Sequence, residues 1–179
     1  MLFRSLLAGD AVVATVMSNL GLELAMQGMG LPLVRTAVGD RQVLEEMERR
    51  GCNLGGEQSG HVIFREISTT GDGILTGLMV LDVLRRSSAA LADLADAAMT
   101  SLPQVLKNVR VSGTASHVVD AVAGEVAAVE ADLGDHGRVL LRSSGTEPLV
   151  RVMVEAPTAD QAHAAADRLV AAVERASAS

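Results

Sequence analysis

Two short stretches gather side chains that could do chemistry. In "LRSSGTEPLVRVMVEA", from Leu141 to Ala156, an arginine, two serines, a glycine and a threonine stand between apolar runs. Arg142 offers a planar fork of N–H donors, Ser143, Ser144 and Thr146 offer hydroxyls, and Gly145 lets a ligand approach its backbone N–H. Arg151, further along, adds a second positive charge. Together these groups suit a phosphate monoester. The same residues also suit an ordinary hairpin, with Gly145 at positive φ and Pro148 opening the next strand. The second stretch, "GGEQSGH", sets Glu57, Gln58, Ser59 and His61 among glycines. A carboxylate, an amide and a hydroxyl on a flexible loop can read the vicinal hydroxyls of a sugar. A solvated polar turn with an incidental histidine accounts for them equally well. Ser59 lacks G-x-S-x-G spacing and is not a nucleophile elbow.

The remaining polar positions carry less. In "TAVGDR", Asp40 reads as a cap for a helix that Arg41 begins, and "TTGDG" reads in the same way. His117, His136 and His163 fall in helical or surface contexts, and no H-E-x-x-H or D-x-D-x-D run is present to hold a metal. Cys52, the single cysteine, permits no internal disulfide and reads as a small buried hydrophobe in a reducing compartment.

These loops need elements to position them. "AVVATVM" has the short Val-rich character of a buried parallel strand, and "SNLGLELAMQGMG" follows with a cap and helical spacing. "LPLVRTAV" and "GDRQVLEEMERRG" repeat the pair, with Gly51 as a helix stop. "CNLGGEQSGHVIF" is strand, glycine-rich loop and strand again, and "TTGDGILTGLMVLDVLRRSS" is a third helix. Alternating strands and helices imply an α/β layer with a mixed or mainly parallel sheet, which brings "TAVGDR" and "GGEQSGH" to one sheet edge. After the helical "SAALADLADAAMTSLP", Pro103 marks a boundary, giving domains at 1–102 and 103–179. The second reads as strand "QVLKNVRV", one helix over "ASHVVDAVAGEVAAVEADLG", strands "GRVLLR" and "PLVRVMVEA" joined by the first loop, and a closing helix. That β-α-β-β-α order is a small α+β domain with helices on one face of an antiparallel sheet.

Composition bounds the partners. The chain has 179 residues, 49% of them hydrophobic, enough for a substantial core that must be aliphatic because Phe3 and Phe64 are its only aromatic residues. A net charge of −7 without any Lys/Arg run argues against nucleic acid and against an anionic membrane surface. Lys107 is the only lysine, which excludes a P-loop. "MLFRSLLAGD" is too short in its apolar part for a signal sequence, and no apolar run is long enough to span a bilayer, so a cytoplasmic location is expected. The opening "MLFRSLLAG" reads as part of a helix with nothing obvious to pack on, as in a chain cut from a longer one.

The segments "VVATVMSNLGLE", "RTAVGDRQVLEEM", "GGEQSGHVIF", "TTGDGILTGL" and "RSSGTEPLVRVMVE", in this order, resemble the α-D-phosphohexomutase superfamily, and Gln58 resembles its glucosamine-phosphate branch. The resemblance implies the third domain and the fourth, TATA-binding-protein-like domain of a four-domain enzyme. It also implies a hexosamine phosphate substrate, with glucosamine 6-phosphate and glucosamine 1-phosphate interconverted for amino-sugar nucleotide and cell-wall precursor synthesis. Glu57, Gln58, Ser59 and His61 would then contact the sugar, Asp40 and Arg41 would line the cleft, and Arg142, Ser144, Gly145 and Thr146, with Arg151, would hold phosphate. Ser143 replaces the proline usual in that loop. The family's phosphoserine and its D-G-D-x-D-R-like Mg²⁺ loop belong to the first two domains, and neither motif occurs in these residues. No catalytic residue and no metal ligand is therefore expected in this chain, which would need an N-terminal half as partner and be inactive alone. A non-catalytic sugar-phosphate-binding module, or a piece of a phosphomannomutase/phosphoglucomutase, are the alternatives.

Overall fold

The computed structural model describes residues 7–9 and 11–178, so most of the helical segment expected at the opening lies outside the described residues. The chain divides into two compact units, one running to Ser101 and the other starting at Leu102.

The first unit contains β1 (Val12–Thr15), α1 (Leu20–Gly28), β2 (Leu33–Thr36), α2 (Asp40–Arg50), β3 (Leu54–Gly56), β4 (Val62–Phe64), α3 (Gly73–Ser87) and α4 (Leu91–Ala98). The strands form one sheet in the order β2-β1-β3-β4, with β1 parallel to β2 and β3, and β4 antiparallel to β3. Val43 and Met47, one helical turn apart on α2, lie against Val13 and Ile63 of the sheet, with Cys52 beside them. Burial pushes the Cys52 thiol pKa up. Gly55 is required for this packing: a Cβ there would lie 2.6 Å from Met47 Sδ and 2.8 Å from Val43 Cγ1.

Of the two helix starts expected to be capped by aspartate, one is and one is not. Asp72 does cap α3, its Oδ1 accepting from the N–H groups of Ile74 and Leu75 at 2.8 and 3.0 Å. Asp40 instead is the first helical residue of α2, and Gly39 holds the capping position with φ 129, where only glycine sits without strain.

The second unit contains β5 (Gln104–Arg110), α5 (Ala115–Ala121), α6 (Ala123–Leu133), β6 (Arg138–Ser143), β7 (Leu149–Glu155) and α7 (Ala159–Ser177), with a 3₁₀ turn at Gly134–His136. Its sheet has the order β5-β7-β6 and is antiparallel throughout. The single helix expected over 115–134 is two helices, broken at Val122, whose N–H is shared between the carbonyls of Val118 and Val119. Three β-branched valines followed by Gly124 are weak helix formers, and the run is not held straight. The helices cover one sheet face. Val109, Val139, Val150, Val152 and Val154 meet Ala166, Leu169 and Val173 of α7 there. Strand alternation then assigns Asn108, Arg110, Arg142 and Arg151 to the opposite face.

Candidate functional site

The β6–β7 hairpin builds the first candidate site. Ser143 pairs with Val150, and the Ser144 N–H donates to the Leu149 carbonyl at 2.9 Å, closing a loop of Ser144 to Pro148. Inside it, the Thr146 N–H donates to Ser144 Oγ at 3.4 Å and the Leu149 N–H to the Glu147 carbonyl at 2.8 Å. Gly145 is not at positive φ, contrary to the turn expected from sequence. A loop of this length spreads the reversal over several residues, so none must enter the left-handed region. Nothing lies within 4 Å of where a Gly145 Cβ would stand, which leaves its backbone open to approach. Pro148 precedes the strand rather than opening it, and its carbonyl accepts from the Val111 N–H at 3.0 Å, anchoring the loop to the end of β5.

The charge arrangement of this hairpin is unusual. Arg142 and Arg151 stand directly opposite each other across the β6–β7 ladder, and Asn108 stands opposite Arg151 on β5. Like charges at directly opposed positions repel. Among the described residues neither arginine has a carboxylate partner, and the buried Nε of Arg151 donates to nothing. Further along the same face the pattern is the ordinary one, with Arg138 bound to the buried Glu155 at 2.9 Å. At the loop end of the face, by contrast, neither arginine is paired with a carboxylate among the described residues, although Glu147 stands in the loop itself. A dianion with several acceptor oxygens would match this arrangement chemically.

The second candidate site lies in the first unit, at the edge where β1, β2 and β3 end. Glu57 is its centre. One carboxylate oxygen accepts from the Gly39 N–H at 2.9 Å, which ties the loop after β2 to the loop after β3. The other accepts from Ser59 Oγ at 3.4 Å and faces His61 Nδ1 at 3.8 Å. The Glu57 N–H donates to the His61 carbonyl, and Gly60 at φ 94 makes the turn between them. Glu57, Ser59 and His61 are thus brought together, with Gln58 exposed at the tip. Asp40 and Arg41 reach this edge only through their backbone neighbour Gly39. Asp40 Oδ1 accepts from the Arg41 N–H at 2.8 Å, and the Arg41 side chain turns along α2 to Glu45, at 2.8 Å. The Glu45 carboxylate raises the Arg41 pKa.

A cavity of about 350 Å³ opens beside Glu57 and Gln58, walled by β1 and β3 and bordered by Ser18 and Asn19. Arg35 holds that border in place. It donates to the Ser18 carbonyl at 2.9 Å and pairs with Glu23 of α1 at 2.9 Å. Among the described residues no three His, Cys, Asp or Glu side chains converge as a group that could hold a metal ion.

Sequence reasoning did not place Ser18 and Asn19 at this cavity or Arg35 behind them; they are distant in sequence from Glu57, and the parallel pairing of β1 with β2 and β3 brings them to the same sheet edge. It also passed over Asn108 and Arg110, although a signal for them existed. In "QVLKNVRV" they alternate with Val109, so a buried Val109 places both on the open face.

The model of the phosphoglucomutase/phosphomannomutase α/β/α domain III matches residues 1–102, and that of the phosphoglucomutase/phosphomannomutase C-terminal domain matches residues 106–172. The chain is 57% identical over 164 residues to a phosphoglucosamine mutase of Thermobifida fusca, covering 91% of this chain and 36% of that protein. It is 61% identical over 159 residues to one of Leifsonia xyli, covering 88% of this chain and 34% of the relative. The chain thus spans little more than a third of the length of these curated relatives. Among solved structures, Aspergillus fumigatus N-acetylphosphoglucosamine mutase shares the fold with a TM-score of 0.78 at 22% identity, over 98% of this chain and 40% of that one. A Burkholderia thailandensis phosphoglucomutase/phosphomannomutase family protein does so with a TM-score of 0.71 at 20% identity, over 98% of this chain and 39% of that one. With domain III followed by the C-terminal domain along nearly its whole length, the chain belongs to the phosphoglucomutase/phosphomannomutase family.

Proposed function

We propose that the chain supplies the sugar-reading and phosphate-holding loops of a phosphoglucosamine mutase, which interconverts glucosamine 6-phosphate and glucosamine 1-phosphate. The observation that carries this reading is the opposed pair Arg142 and Arg151, without a carboxylate partner among the described residues, beneath a loop of hydroxyls and open backbone. Arg142 and Arg151 neutralise a phosphate monoester, and Ser144, Gly145 and Thr146 fit its oxygens. Glu57, Gln58, Ser59 and His61 read sugar hydroxyls, with Asp40 and Arg41 at the same edge of the first unit. The identities to phosphoglucosamine mutases support the amino sugar as substrate.

Phosphoryl transfer needs a nucleophile and charge neutralisation at one end of the substrate and rigid positioning at the other. The residues of this chain suit the positioning task. They contain neither the serine loop nor the aspartate-rich loop of the family resemblance, and a fungal relative has been solved with GlcNAc-6P and magnesium. In our reading the nucleophile and the Mg²⁺ ligands come from an N-terminal half, both act in the cytoplasm, and this chain alone does not turn over. A coupled assay for glucosamine 1-phosphate, run on this chain with and without an N-terminal half in trans, tests it. Turnover is expected only with both, and turnover by this chain alone overturns the reading.

A further inference from the structure

The free positive charge of the second unit is not confined to the hairpin. The arginines of α2 and α3, and Arg35, Arg138 and Arg168, hold carboxylates. Arg110, Arg142 and Arg151 hold none among the described residues, and all three lie on the sheet face away from the helices. Arg110 pairs in register with Leu149, the residue that closes the phosphate-loop hairpin, and so stands one row from Arg151 on the loop side. Diagonal neighbours on one face of an antiparallel pair are within reach of long side chains. Asn108 occupies the row of Arg151 and Arg142, is exposed, and its amide makes no hydrogen bond among the described residues. A third unpaired arginine, diagonal to Arg151, adds to the repulsion that a bound anion must relieve.

We infer that Arg110 and Asn108 of β5 extend the anion site from the hairpin onto the sheet, so that a phosphate dianion is held from three strands and not from one loop. This rests on the phosphate-clamp reading above. Arg142 and the loop supply the near side, Arg151 the floor, and Arg110 with the Asn108 amide the far side. Three guanidinium groups favour the dianion over the monoanion, whose interconversion falls near pH 6 for a phosphate monoester. Affinity should therefore rise between pH 5 and pH 7.5 more steeply in the wild type than after loss of Arg110.

The test is calorimetric titration of the chain with inorganic phosphate and with glucosamine 6-phosphate, comparing wild type, R110Q, N108A, R142Q and K107Q. Lys107 neighbours Asn108 on β5 but faces the helices, where it pairs with Asp167, so K107Q controls for net charge alone. R110Q should weaken both ligands about fivefold and flatten the pH dependence, and N108A should weaken them about twofold, as exposed charge-assisted and neutral contacts do. R110K, which keeps the charge but not the fork, should fall between wild type and R110Q, and serves if R110Q fails to fold. Equal effects of R110Q and K107Q overturn the inference, because diffuse charge then suffices. Unchanged binding by R110Q, with binding lost in R142Q, overturns it while leaving the clamp standing. No effect of R142Q overturns the clamp and the inference together.

Discussion

Arg151 carries two costs in the unliganded chain: a buried Nε without an acceptor, and a second guanidinium directly across the ladder. Each is destabilising, the first through desolvation and the second through repulsion. Replacing it with an apolar side chain of similar reach should therefore stabilise the protein and disable the site. R151M is expected to gain about 0.5–1 kcal/mol without ligand. Phosphate at 100 times its dissociation constant should stabilise the wild type by about 2.7 kcal/mol and leave R151M unmoved. Thermal melts with and without inorganic phosphate measure both, and a less stable R151M in the absence of phosphate contradicts the argument. Glu57 is the opposite case, a functional candidate that also holds the fold. Its oxygen is the acceptor for the Gly39 N–H, so E57A leaves that part-buried donor unpaired at a cost of about 1–2 kcal/mol. E57Q keeps a carbonyl oxygen in place, and should retain most stability in urea unfolding while changing affinity for the sugar.

At the scale of elements, what could be read beforehand was what periodicity controls. The Val-rich strand β1, the helix α2 and the alternating strand β5 all follow from residue spacing and appear where spacing puts them. What could not be read was what depends on distant partners. Gly39 takes the helix-capping place expected of Asp40, with its N–H donated to Glu57, and the hairpin loop is anchored by the Pro148 carbonyl to the Val111 N–H just past β5, with no positive φ at Gly145. The near-contact of β3 with α2 was equally hidden, and it makes a sharp prediction. In G55A the new methyl would meet Met47 Sδ, Val43 Cγ1 and the Val13 carbonyl within about 3 Å, with backbone on one side and buried side chains on the other. Overpacking of this kind costs about 1–3 kcal/mol, so G55A should unfold at clearly lower urea than wild type. On the exposed side of α2, Arg49 and Arg50 lower the Glu46 pKa to about 2. A depressed carboxyl stabilises the fold above its unfolded pKa and ceases to do so as pH falls through the folded one. The small advantage of wild type over E46Q in thermal melts should therefore persist at neutral pH and close between about pH 4.5 and pH 2.

Over the whole molecule the two units differ in how well their apolar surface is spent. The second has a continuous valine and alanine core from β5 to α7, with Val150, Val152, Val154, Leu169 and Val173 fully buried. The first has a smaller cluster around Val43 and Met47, and neither α3 nor α4 contains a buried residue. Ile74, Leu78 and Leu81 recur along α3 at helical spacing and are 79%, 59% and 60% exposed. Local stability follows buried apolar contact, so the first unit should open at a free energy well below that of the β5–β7 sheet. The chain contains its own reporter of that event. Cys52 is its only cysteine, is fully buried in the first unit, and has a thiol pKa raised by that burial. Alkylation therefore requires the first unit to open and is blind to the second. In a urea series, Cys52 labelling should become fast while the amides of β7 remain protected from hydrogen exchange, and the amides of α3 should exchange before either. Labelling of Cys52 and loss of β7 protection at one common urea concentration would show instead that the two units unfold as one, and that the exposed stripe of α3 costs the first unit nothing.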